Sequence, residues 1–231
     1  MSRWQRFKTN RRGYISLWIF LGLFGLSLCA ELIANDKPLV VRYDGHFYFP
    51  IVKSQPETVF GGDFATPTDF LDPDIRHNIT SGGNWAIYPT IKYSYETLNY
   101  FAPSPNPAPP SWQNWLGTDD RGRDVLSRLI YGFRLSILFG LALTIVGVTV
   151  GVITGSLMGV FGGKFDLISQ RLIEIWSAMP ELYLLIIFAS IFHPSVLLLI
   201  LLLAAFGWMG LSDYVRAEFF RNRALEYVRA A

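Results

Sequence analysis

Few side chains in this sequence could do chemistry, and they stand apart from one another. Glu181 is the one charge in the apolar stretch 175–192. An acidic residue inside a membrane span costs roughly 3 kcal/mol on insertion scales and so faces a cavity or a partner. Glu181 therefore either lines a polar path or hydrogen-bonds a neighbouring helix. Glu174 has a simpler use, since Arg171 lies three residues before it on the same helical face. Gly162-Gly163-Lys164 looks like the end of a phosphate loop, but Met158 stands where the earlier glycine is needed and Phe165 where Ser or Thr should follow. There is no HExxH, no GxSxG and no cluster of histidines with carboxylates. His46 and His77 have no second ligand at metal spacing, and the single cysteine, Cys29, excludes an intrachain disulfide framework. These residues point to no catalytic site, no metal and no cofactor. If nucleotide powers any work here, another chain supplies the site.

The second pattern with physical content is structural. Gly147, Gly151, Gly155 and Gly159 recur at steps of four and stack along one side of a helix. Lipid tails give no hydrophobic drive between helices, so close backbone approach through small residues holds a membrane bundle together. Three overlapping GxxxG pairs in a charge-free span predict a tight helix–helix contact.

The elements that must position these residues are long apolar segments. The chain has 231 residues, 51% of them apolar, with 20 Lys and Arg against 18 Asp and Glu. The composition is that of many globular proteins, and the near-balanced charge argues against a nucleic-acid binder. Distribution decides the class. Residues 135–161 carry no charge over 27 positions, 165–192 contain a long apolar run, 195–212 carry none, and 14–33 stay apolar up to Glu31. A bilayer core of about 30 Å is crossed by about 20 apolar residues, so these are four transmembrane helices. The rival for 14–33 is a cleaved signal peptide, because Arg3, Arg6, Lys8, Arg11 and Arg12 precede it. Leu28 at the −3 position makes poor cleavage chemistry, which favours an uncleaved anchor. The positive-inside rule places residues 1–13, the Lys164 and Arg171 segment, and residues 213–231 on the cytoplasmic side. The insert 34–117 then lies outside.

That insert reads as loop-rich and partly β. Leu39–Tyr43 and His46–Val52 flank Asp44-Gly45, a two-residue hairpin turn signal. Residues 103–110 (PSPNPAPP) should be a stiff spacer. Trp85, Tyr88, Tyr93, Tyr95, Tyr100 and Phe101 either pack the small domain, the reading we favour, or form a face for a partner. Residues 118–134 read as an interfacial amphipathic helix capped by Thr118 or Asp119 that feeds into the span 135–161.

The segments LGTDDRGRDVLSRLIYGFRLSILFG (116–140), GVFGGKFDLISQRLIEIWSAMP (159–180) and DYVRAEFFRNRALEYVRAA (213–231) resemble the permease subunits of peptide-importing ABC transporters. More narrowly they are similar to the C-type subunit of the dipeptide/oligopeptide group. The resemblance covers essentially the whole chain. It implies an all-α polytopic membrane protein: a type I ABC permease helical bundle, with four of the expected six spans present and the small external insert added. It further implies a bacterial inner-membrane location and three kinds of partner: a homologous second permease subunit, cytoplasmic ABC ATPase subunits and a periplasmic peptide-binding protein. ATP hydrolysis would reside in the ATPase partner, so the chain itself is no enzyme.

In that family a coupling helix with an EAA motif docks the ATPase. Here Arg229-Ala230-Ala231 occupy the EAA positions, with arginine in place of glutamate, and the glycine of the motif would follow Ala231. Glu226, Tyr227, Arg229, Ala230 and Ala231 are the implied ATPase-coupling residues. On the residues alone, the basic segment 213–231 could equally hold anionic membrane lipid. The resemblance tips the balance toward docking. The rival is a four-span scaffold without transport, or a decayed, truncated permease; a scaffold leaves the glycine series, Glu181 and the amphipathic helix ahead of the span 135–161 unexplained.

Overall fold

A computed structural model describes residues 3–100, 102 and 104–223. The chain divides into two units, Met1–Leu135 and Ser136–Ala231.

In the first unit, a short helix α1 (Arg3–Thr9) precedes α2 (Arg11–Leu28) and the single turn α3 (Ala30–Ile33). The apolar stretch 14–33 is therefore two helical pieces broken at Cys29, and α2 takes both Arg11 and Arg12 into its first turn. The insert follows. Strands β1 (Val40–Tyr43) and β2 (His46–Tyr48) form an antiparallel hairpin in which Tyr43 pairs with His46. Asp44 and Gly45 both have positive φ, 48° and 78°, as a two-residue primed turn requires. Strand β3 (Trp85–Ile87) adds antiparallel to the other edge of β1, in the order β2-β1-β3.

Helix α4 (Pro73–Thr80) covers this sheet. Its N-cap is Asp72, whose Oδ1 accepts from the backbone N–H groups of Asp74 (2.8 Å) and Ile75 (3.2 Å). Ile75 and Ile79, one turn apart, meet Val41, Phe60 and Phe70 in a fully buried core. Phe60 lies edge-on to Tyr43, Tyr48 and Phe70 at centroid distances of 5.3–5.6 Å. The aromatic run divides by position. Tyr88 donates to the Phe70 carbonyl (3.1 Å), Tyr95 stacks on Tyr131 (4.8 Å) and Tyr93 packs on the cluster of Ala30, Ala34, Ile91 and Tyr131. Trp85 and Tyr100 remain exposed, and Phe101 lies outside the described residues.

Helix α5 runs unbroken from Val125 to Phe161, 37 residues, so no separate helix covers 118–134. Thr118 and Asp119 do not cap it. Asp119 instead closes a turn: its Oδ1 accepts from the N–H groups of Arg121 and Arg123, both at 2.9 Å, and its Oδ2 pairs with Arg123 (2.7 Å) and Arg128. Burial pushes the Asp119 carboxyl upward, but these donors outweigh it and hold the group at about 2. The cap of α5 is Asp124, fully buried, which accepts from the N–H of Ser127 (2.7 Å) and from the Asn114 amide (2.8 Å). The Tyr131 hydroxyl donates to the Ala34 carbonyl (2.9 Å), and Arg134 pairs with Glu31 (2.8 Å).

In the second unit, the rest of α5 is joined by α6 (Gly163–Ser177), α7 (Glu181–Ile191), α8 (Val196–Gly207) and α9 (Met209–Arg223). Among the described residues, two helices are long and apolar enough to cross a membrane: Val125–Phe161, and α8 with α9 read together as Val196–Arg223. The stretch read as one span over 165–192 is bent by 64° where α6 meets α7. Pro180 is the cause. It cannot donate into the helix, and it pushes Met179 out of helical geometry. The outward faces are apolar, with Leu182 73% and Ile186 67% exposed, as suits lipid.

Candidate functional site: a helix seam and a lone carboxylate

The seam begins with what glycine leaves open on α5. A methyl group added at Gly151 would stand 2.9 Å from the Trp208 carbonyl oxygen and 3.0 Å from Leu211. At Gly155 it would stand 2.5 Å from the Ser212 carbonyl and 2.8 Å from Val215. At Gly159 it would collide with Phe219, while at Gly147 the nearest atom, the Gly207 carbonyl oxygen, is 3.8 Å away. The four glycines thus face α8–α9 along its length, and the backbones approach most closely from Gly151 to Gly159.

Polar contacts run along the same contact. The hydroxyls of Thr154 and Ser212 are hydrogen-bonded at 3.0 Å, and Ser212 is fully buried. From α6, Asp166 receives both arms of the Arg216 guanidinium, with Nη2 donating at 2.6 Å and Nε closing the pair. Gln170 donates to Asp213 at 3.1 Å. Arg216 also lies over the Phe220 ring, 5.0 Å from its centroid. Near the bend, the Trp176 indole donates to the Ala205 carbonyl (3.1 Å). A two-armed ion pair with little exposure is directional and is poorly replaced by water. It makes α6 and the last turns of α9 a mechanical unit. None of Asp166, Gln170, Asp213 or Arg216 stood out in the sequence. The signal was present in their spacing, because Asp166 and Gln170 at i,i+4 and Asp213 and Arg216 at i,i+3 put two complementary faces near helix ends.

Glu181 occupies the first turn of α7, directly after Pro180. The N-terminal turn of a helix is where negative charge is favoured. Glu181 borders a cavity of about 400 Å³ that Leu143, Thr144, Gly147, Leu203 and Leu211 also line. No hydrogen-bond partner for it occurs among the described residues. Glu174 pairs with Arg171. Glu226, Tyr227, Arg229, Ala230 and Ala231 lie outside the described residues, and α9 is described as far as Arg223. Among the described residues no group of three His, Cys, Asp or Glu could hold a metal ion.

Residues 147–231, which contain the glycine seam and all of α6 to α9, match the family described as binding-protein-dependent transport system inner membrane component. Over 230 residues the chain is 52% identical to the inner membrane ABC transporter permease protein YejE of Escherichia coli, covering 100% of this chain and 67% of that protein. The chain belongs to the binding-protein-dependent inner membrane permease family. It is 47% identical over 253 residues to the peptidoglycan transport system permease protein YejE of Agrobacterium fabrum, covering 99% of the chain and 66% of that relative. A third relative, the oligopeptide transport system permease protein OppC of Haemophilus influenzae, is 33% identical over 139 residues, 60% of the chain and 44% of its own length. The chain thus spans about two thirds of the length of the relatives it matches from end to end. It is a helical, polytopic permease of the inner-membrane-component type, with a small antiparallel sheet inserted ahead of its helical unit.

Proposed function

We propose that the chain is a membrane subunit of an ATP-driven importer that moves peptides or oligopeptides from periplasm to cytoplasm. The observation that carries this is the seam of α5 and α6 on α8–α9, which lies within the residues matching the inner-membrane-component family. In this reading the N-terminus and residues 213–231 face the cytoplasm and the insert faces the periplasm. A homologous second permease completes the path, a binding protein delivers the peptide, and two ATPase subunits hydrolyse ATP. Glu226, Tyr227, Arg229, Ala230 and Ala231 receive the ATPase. Movement there passes into α9, through Arg216 and Asp166 into α6, and so to the bend at Pro180, as rigid-body rocking of helices around a fixed seam. Glu181, beside the cavity at that bend, is the group that the path would present to a substrate's ammonium end.

The test is uptake of a labelled tripeptide by cells that lack their own peptide importers and express the chain with its second permease, ATPases and binding protein. Uptake that depends on this chain is expected. Ala230→Asp should lower it by about tenfold or more, with the amount of protein in the membrane unchanged, because a carboxylate buried at a docking surface forfeits its hydration. Absence of uptake in the complete assembly overturns the importer reading, and normal uptake by the variant overturns the docking assignment. The name of the Agrobacterium relative favours a second cargo, peptidoglycan fragments, whose stem peptides share the amino and carboxyl chemistry of oligopeptides.

A further inference from the structure

A groove of about 470 Å³ opens in the insert, between the start of α4 and residues 93–100. We propose that it binds a short zwitterionic peptide, with its carboxylate on Lys37 and Arg76 and its ammonium group on the facing aspartates. This deepens the importer reading by assigning the insert a role with the same cargo.

The argument rests on charges left unmatched. Lys37 and Arg76 both line the groove and are both half-buried, yet neither lies within 4.0 Å of a carboxylate oxygen among the described residues. Half-buried cations ordinarily acquire such a partner. Arg76 is also not free to swing away, because α4 carries it and its guanidinium lies over the Tyr88 ring, 5.7 Å from the centroid. Asp36, Asp69 and Asp72 line the same groove. Each has one oxygen engaged locally: Asp36 by the Thr97 hydroxyl (2.8 Å), Asp69 by the Leu71 N–H (2.9 Å) and Asp72 by the first turn of α4. The second oxygen of each is uncommitted among the described residues.

A fixed guanidinium, an unpaired ammonium and three carboxylates that do not neutralise one another suit a ligand carrying both signs. A simple anion would meet the three carboxylates and a simple cation the fixed guanidinium, so neither fits as well. The volume lies within the roughly 300–1,000 Å³ of small-molecule sites. The groove also continues. A second hollow of about 460 Å³ shares Leu98, Asn99 and Tyr100 with it and reaches Arg121 and Ser104.

The experiment is calorimetric titration of the full chain in lipid nanodiscs with tri-alanine, repeated with N-acetyl-tri-alanine amide, which has the same shape and no end charges. Saturable binding at one site per chain is expected for tri-alanine. The capped peptide should bind at least about tenfold more weakly, since hydrogen bonds to charged groups are the strong ones. Lys37→Met with Arg76→Met should weaken tri-alanine by at least about tenfold. Lys37→Met alone, whose ammonium has no hydrogen bond or ion pair among the described residues, should weaken it in a chain with an unchanged melt. Equal binding of the capped peptide, or full binding by the variants, overturns the proposal. Failure to bind in a chain that supports uptake removes the groove and leaves the importer reading; binding without uptake does the reverse.

Discussion

The insert and the helical unit are built inside out relative to each other. In the insert the buried core is made of large apolar side chains: Phe60, Ile75, Ile79 and Val41 are fully buried. Its surface carries the turns, charges and groove. In the helical unit most large apolar side chains face outward, and the seam sets small or polar residues, among them Gly151, Gly155, Thr154 and Ser212, against Leu211, Val215 and Phe219. Each arrangement answers its solvent. Water drives apolar groups together, so the insert gains by hiding phenyl rings. Lipid drives nothing apolar together, so the helical unit gains only from close packing and from hydrogen bonds that hydrocarbon cannot supply.

This contrast can be broken from either side. The largest effect is expected at the centre of the insert. Phe60→Ala should destabilise that domain by about 3–5 kcal/mol, read as faster amide exchange over 40–87. The helices should stay protected, because the insert's core is its own. Collapse of protection in α8 and α9 as well would show that the two cores are one. Next comes the seam. Gly155→Ala would press a methyl onto the Ser212 carbonyl at 2.5 Å, a strain of about 1–3 kcal/mol, and should lower the thermal midpoint in detergent. Gly147→Ala, with 3.8 Å of room, should leave the midpoint unchanged. Equal midpoints for the two variants would mean that glycine spacing, not contact, explains the series.

The smallest effect sharpens the junction at 119–124. The Asp119 carboxyl is held at about 2, below its ordinary 3.8. A lowered carboxyl contributes stability that is complete above the unfolded value and is lost as pH falls through the folded one. Measured against the intrinsic exchange rate at each pH, protection of the Arg121 and Arg123 amides should therefore be unchanged from pH 7 to about 4.5 and be lost between about 4 and 2. Asp119→Asn should abolish that step. A step of the same size in the variant would assign it to other carboxylates.

Much of this was legible in the residues, for reasons that are local. Asp44-Gly45 tolerates the positive φ of a primed turn, so the hairpin could be read from residues 39–52. The apolar length of 135–161 could be read against bilayer thickness, and the glycine period against the helical one. Capping was harder. Asp119, Asp120 and Asp124 are all capable N-caps, and only the turn that Asp119 closes leaves Asp124 to begin α5. Pro180 was visible, but whether a proline kinks a span or ends a helix depends on the packing around it. The 64° bend places Glu181 at the first residue of α7, at the break in the stretch 165–192.

The sequence by itself determined what each segment can tolerate: which residues can face lipid, which can turn, and which helix face is small enough to approach. Tertiary structure alone decided which partner takes the other side of each face. Nothing in the glycine period names α8–α9 as the helix it meets, and nothing in residue order joins Asp166 to Arg216 or brings Lys37, Arg76 and Tyr100 around one groove. Local propensities act over a few residues, whereas those pairings are chosen by the summed packing of the whole chain.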